Sequence, residues 1–158
     1  MVRSLIVAGA IAVVACGGQP ESSGPTISVV DAYAAEPLSL DVAAVYLTIV
    51  NNSAEADTLV GAGTPIAAKV DVHRMTGMGA GQMRPVHAAE IPAHGQLRLR
   101  PGGLHLMLMD LTRQPHAGDT IDLTIELQHA GTIPVRAPVL SYLEVGERAA
   151  VGSDQQRR

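Results

Sequence analysis

The chain of 158 residues contains no tryptophan, no phenylalanine, three tyrosines and one cysteine. Lys69 is its single lysine. One cysteine excludes a disulfide framework, a thiolate cluster, a zinc ribbon and an iron–sulfur site. With so few aromatic rings the core must be built from Val, Leu, Ile, Ala and Met. A net charge of −4 without stacking platforms argues against a nucleic-acid partner. No glycine cluster stands between a strand and a helix at dinucleotide or P-loop spacing. There is no G-x-S-x-G, no H-E-x-x-H and no carboxylate-rich cluster, so the expectation is a protein that is not an enzyme. Charged residues are scarce at 16 %, but hydrophobic residues reach 47 %, which rules out a disordered chain. The length fits one domain plus a short appendage.

The N-terminus reads MVRSLIVAGAIAVVACGGQP. Arg3 supplies a single positive charge, and Leu5 to Val14 form an apolar stretch too short to span a bilayer. Val13-Val14-Ala15-Cys16-Gly17 resembles a bacterial lipobox, in which small residues flank the cysteine that receives the lipid. Residues 1–15 are therefore expected to be a lipoprotein signal peptide. Cys16 is the expected lipidation site, and residues 16–26 would form a flexible tether. This places the domain outside the cytoplasm, held to a membrane by its lipid anchor, in the periplasm or on the outer face of the cell membrane. It also uses up the only thiol.

From Ile27 onward, β-branched and aliphatic runs of five to eight residues alternate with Gly, Pro, Asn and Asp. Strands are expected at 27–34, 43–51, 57–62, 68–75, 82–87, 95–99, 104–111, 120–128 and 131–139. Turn signals recur every 8–12 residues or so, the rhythm of an all-β sandwich or barrel. One domain over 27–143 follows, with 144–158 expected to be a disordered tail.

The positions of His and Met stand out. In a strand, successive side chains point to opposite faces. Within Leu104-His105-Leu106-Met107-Leu108-Met109 the leucines share one face, and His105, Met107 and Met109 share the other. Within Val70-Asp71-Val72-His73-Arg74-Met75 the valines take one face, and Asp71, His73 and Met75 take the other. If the two strands are neighbours, soft ligands converge. Methionine as an ordinary gap-filler, or a histidine hydrogen-bonded on a packed face, would give the same pattern one residue at a time. A His and thioether set favours Cu(I) over Zn, Mg or Ca. Unlike a cysteine pair, it survives an oxidising compartment. A blue-copper electron-transfer centre is excluded, because it needs a thiolate from within the fold.

The stretch from Val70 to Met109 resembles the periplasmic copper-A chaperone (PCuAC) family, whose signature is His, ten residues, Met, twenty-one residues, His-x-Met. Twenty-one residues separate Met83 from His105-Leu106-Met107. Met83-Arg84-Pro85-Val86, Arg100-Pro101-Gly102-Gly103 and Ala117-Gly118-Asp119-Thr120 resemble the family's flanks. The likeness extends over about residues 27–139. It implies a cupredoxin-like Greek-key β-sandwich and a Cu(I) site made of His73, Met83, His105 and Met107. One departure is plain: nine residues, not ten, lie between His73 and Met83, with the loss placed in the Gly77–Gly81 turn. Met75 and Met78 are reserve ligands for that reason. His87, His94, His116 and His129 match no ligand position. The resemblance further implies a Cu(I) metallochaperone whose partner is a copper acceptor: the copper-A centre of a cytochrome oxidase subunit, or another copper chaperone. The alternatives are a periplasmic copper sequestration or resistance protein, and a metal-free structural β-sandwich lipoprotein.

Overall fold

The computed structural model describes residues 26–76 and 82–155, with the backbone alone for 152–155. The expected signal peptide, Cys16, most of the tether and Met78 lie outside the described residues. Ten strands and one helix follow in order: β1 (Ile27–Ala35), β2 (Val42–Asn51), β3 (Asp57–Gly63), β4 (Ala67–Thr76), β5 (Gln82–Pro85), β6 (Ala89–Ile91), β7 (Gly95–Leu99), β8 (Leu104–Leu111), β9 (Thr120–Leu127), β10 (Gly131–Leu140) and α1 (Tyr142–Gln155). The strands pair in the order β5-β4-β8-β2-β1-β10-β9-β3-β6, and β7 also pairs with β2.

One strand joins the two halves of the sandwich. β1 runs antiparallel to β2, and its last residues pair parallel with β10 through Ala34↔Val139 and Ala35↔Leu140. A bulge between Val30 and Tyr33, with Asp31 at φ 53°, turns the strand from one sheet to the other. Inward-facing Val45, Leu47, Ile49, Leu59, Leu106, Leu108, Ile121 and Ile125 are almost fully buried. Each such side chain contributes on the order of 1.5–3 kcal/mol. The core is aliphatic, as the lack of Phe and Trp requires.

β7 and β8 lie end to end along β2, both antiparallel to it, and are separated by a loop at 100–103. Gly102 has φ 74° there, a conformation open to glycine. The expected strands recur with shifts of one or two residues. β6 was not anticipated, since three residues are too few to show alternation.

The C-terminus corrects the expectation of a disordered tail over 144–158: residues 142–155 form α1. Ser141 and Glu144 make a capping box. The Glu144 carboxylate accepts the Ser141 N–H at 2.8 Å and its Oγ–H at 2.7 Å, and Glu144 N–H reaches back to Ser141 Oγ at 3.4 Å. These bonds hold the Glu144 carboxyl below its usual range. Val145 is then buried in a small cluster with Tyr33 and Ala35, against which Tyr46 and Leu140 pack.

Candidate metal centre

The alternation in β4 and β8 fixes which side chains can meet. Buried Leu104, Leu106, Leu108 and Val72 point into the core. His73, Met75, His105, Met107 and Met109 therefore stand on the outer face of the sheet. β4 and β8 are adjacent and antiparallel, with His73 directly opposite His105, and Asp71 opposite Met107. β5 returns beside β4 with Met75 opposite Met83, and His73 opposite Pro85. Met83 is thus on the His73 face although only nine residues separate the two. On the far side of β8, Ala44 of β2 faces Met107, a small neighbour that leaves the thioether room.

The two imidazoles sit 6.3 Å apart, centre to centre, at an interplanar angle of 29°. His105 is buried, with 5 % exposure. Its Nδ1 lies 3.1 Å from the Gly103 carbonyl, which can only accept. That carbonyl fixes the Nδ1–H tautomer and leaves Nε2 with a free lone pair. The same Gly103 oxygen accepts the Met75 N–H at 3.2 Å, so one carbonyl ties the 100–103 loop to both the histidine and β4. His73 is half-buried, and its Nδ1 is buried without a hydrogen-bond partner among the described residues. A buried nitrogen in that state costs about 1–3 kcal/mol unless something coordinates it. Met75 and Met107 are half-buried, while Met83 is 52 % exposed. Beside this cluster the Lys69 ammonium pairs with the Asp71 carboxylate at 2.5 Å.

His73, Met75, Met83, His105 and Met107 are therefore brought to one face. His87, His94, His116 and His129 are all exposed. His116 pairs with Glu36 at 3.1 Å, and the backbone N–H of His129 serves Asp57. Among the described residues no cluster of three His, Cys, Asp or Glu side chains could hold a hard metal ion. The donors that gather are imidazoles and thioethers.

Sequence reading missed the neighbours of His105. The Tyr46 ring lies 6.4 Å from the His105 ring, and Tyr33 lies 5.2 Å from Tyr46. The Arg148 guanidinium of α1 sits 5.2 Å above the Tyr33 ring. Burial pushes both tyrosine hydroxyls up, and the nearby phenols of Tyr33 and Tyr142 add to the effect on Tyr46. The one available signal was scarcity: in a chain with three rings outside histidine, two stand in this row.

Residues 27–139 match the family model for LpqE-like lipoproteins. A protein of Leifsonia xyli subsp. xyli named as a lipoprotein, Lxx21020, is 33 % identical over 99 residues. That alignment takes in 61 % of this chain and 60 % of the relative's length. Among solved structures, the Cu(I) form of DR1885 from Deinococcus radiodurans is 34 % identical, with a TM-score of 0.62, over 77 % of this chain and 83 % of that one. The copper-bound PCuAC domain of PmoF2 has a TM-score of 0.63 at 23 % identity, over 73 % of this chain and 93 % of that domain. That likeness fixes the fold as the cupredoxin-like β-sandwich of PCuAC domains. Among the described residues no helix is long and apolar enough to cross a membrane.

Proposed function

The chain belongs to the LpqE-like lipoprotein family, and from that premise we propose that it is an extracytoplasmic Cu(I) metallochaperone, anchored through lipid on Cys16, that hands copper on by ligand exchange. The observation that carries this reading is the direct pairing of His73 with His105 on the thioether-bearing face of the sheet. With metal–nitrogen bonds of about 2 Å, two rings can share one ion when their centres lie no more than about 6 Å apart, closer as further ligands bend the arrangement away from linear. The rings stand 6.3 Å apart. His73, His105, Met83 and Met107 would hold the ion, with Met75 beside Met83 as a fifth donor within the same rung.

Neutral imidazole and thioether ligands carry no proton to lose at neutral pH and suit soft Cu(I). The cluster supplies no unpaired carboxylate that would favour the oxidised ion, since Asp71 is paired with Lys69. Exposure grades the donors. The half-exposed Met83 is the first to be displaced by an acceptor, and the buried, carbonyl-fixed His105 is the last. A thiol or imidazole of the acceptor enters as a thioether leaves, so the ion stays coordinated and its oxidation state does not change. Tethering to the membrane raises the effective concentration of donor near a membrane-bound acceptor. The copper-A centre of cytochrome oxidase is the acceptor we propose.

The test is an anaerobic Cu(I) titration of the chain from Gly17 onward against a chromophoric chelator, with wild type beside His105→Ala, Met107→Ala and Met83→Ala. One tight equivalent that His105→Ala and Met107→Ala both weaken is the expected outcome. A silent Met83→Ala would move that ligand role to Met75 or Met78. No binding in competition with the chelator would leave a metal-free structural lipoprotein.

A further inference from the structure

The rings beside His105 lead to an element that the copper reading does not use. Tyr33, Tyr46, His105 and His73 form a continuous row of rings across β1, β2, β8 and β4, with centres 5.2, 6.4 and 6.3 Å apart. The row ends under α1, where Val145 shares a buried cluster with Tyr33, Tyr46 packs against that cluster, and Arg148 caps the Tyr33 face. Tyr46 stands next to the coordinating histidine on the side away from His73. It limits how far the His105 ring can swing, and the Gly103 carbonyl holds the other edge.

α1 itself is lightly attached. Val145 is its one buried side chain among the described residues, while Tyr142, Leu143 and Val151 are 56 %, 74 % and 63 % exposed. Contacts of this kind open at low free-energy cost. A weakly docked helix that touches Tyr33, which packs on Tyr46 beside His105, can exchange free energy with that site.

Building on the copper reading above, we propose that Tyr46 is a positioning residue for His105 and that α1 holds Tyr46 in place, so that Cu(I) binding and docking of the C-terminal helix favour one another. Linkage makes the coupling reciprocal: whatever factor α1 adds to copper affinity, copper adds to α1 docking. Loss of the α1 contacts loosens the hold on copper without removing a ligand.

The experiment measures amide hydrogen exchange of α1, with and without one equivalent of Cu(I), together with the Cu(I) dissociation constant. Wild type is compared with Val145→Ser, Arg148→Ala, Tyr46→Phe and Tyr46→Leu. Val145 and Arg148 lie outside the main core, so their replacement loosens the helix and leaves the sandwich intact. Copper is expected to slow α1 exchange in wild type, and Val145→Ser to weaken binding about fivefold or more, the low end of measured couplings. Tyr46→Phe keeps the ring and the affinity, whereas Tyr46→Leu loses about as much as Val145→Ser. A purely structural helix gives a different pattern: Val145→Ser speeds α1 exchange, copper leaves that exchange unchanged, and affinity stays within twofold. That result overturns the proposal while the copper site stands. A wild-type chain that binds no Cu(I) overturns the copper reading and this one with it.

Discussion

Asp57 and His105 are both almost fully buried, at 4 % and 5 % exposure, but their surroundings treat them differently. At the β9–β10 turn the Asp57 carboxylate accepts the backbone N–H groups of Thr58, His129 and Ala130 at 2.6, 3.0 and 2.9 Å. Asn51 nearby accepts from the Ser53 N–H and hydroxyl and donates to the Glu55 carbonyl. Both Asp57 oxygens and both polar atoms of the Asn51 side chain are engaged within the fold. On the outer face of β4 and β8 the accounts stay open. His105 engages one nitrogen and keeps the other, and His73 buries a nitrogen with no partner among the described residues. A buried polar group that is fully satisfied stabilises a turn. One that is left unsatisfied marks a place built for something else.

The contrast breaks most sharply at the ligands. His105→Ala should weaken Cu(I) binding by at least about 100-fold, more than the loss of a merely supporting partner, and should also lower the stability of the metal-free protein, since it empties a buried site and frees the Gly103 carbonyl. Asp57→Asn should act on stability alone. Cu(I) affinity stays within twofold, and stability falls by about 1–3 kcal/mol as buried N–H groups lose a charged acceptor, read by chemical denaturation.

The same carboxylate sets an acid limit. Burial pushes the Asp57 carboxyl up, but the three N–H bonds and the nearby His129 outweigh it, and the net direction is down. A group whose value is lower in the folded state stabilises the fold above its unfolded value, near about 3.9, and loses that contribution as pH falls through the folded value. Wild type should therefore lose stability below about pH 4 more steeply than Asp57→Asn. Equal slopes in denaturant midpoint against pH would remove Asp57 from the account.

Ser141→Ala should cost about 1 kcal/mol of local helix stability, seen as faster exchange in α1 with the sandwich unaffected. Met83→Leu is the gentlest change. With Met75 directly opposite, the loss in Cu(I) affinity should stay under about tenfold, or 1.4 kcal/mol, and only the Met75→Leu, Met83→Leu double variant should exceed it in the chelator titration.

Much of the fold was legible. Nine of the ten strands announced themselves by alternation and by the turn residues between them, because both signals are local. β6 is too short to alternate. α1 was legible in part: Ser141-Tyr142-Leu143-Glu144 is a capping box, but the charges and small residues that follow it read as a tail. Its order depends on Val145 joining Tyr33 and Ala35, more than a hundred residues away in the chain. The ring row beside His105 was hidden for the same reason.

By itself, the sequence determined that Leu104, Leu106 and Leu108 turn one way and His105 and Met107 the other, since the pleat of a single strand needs no partner. It also determined that any soft metal site would be thiol-free within the domain. Only the tertiary structure decided that β4 lies against β8 in the register that sets His73 opposite His105, and that Met75 shares a rung with Met83. Register is a non-local quantity. It is set by how Val72, Leu106 and Val45 interlock in the core and by the loop at 100–103, and a slip of one residue would have turned every imidazole and thioether to the other face.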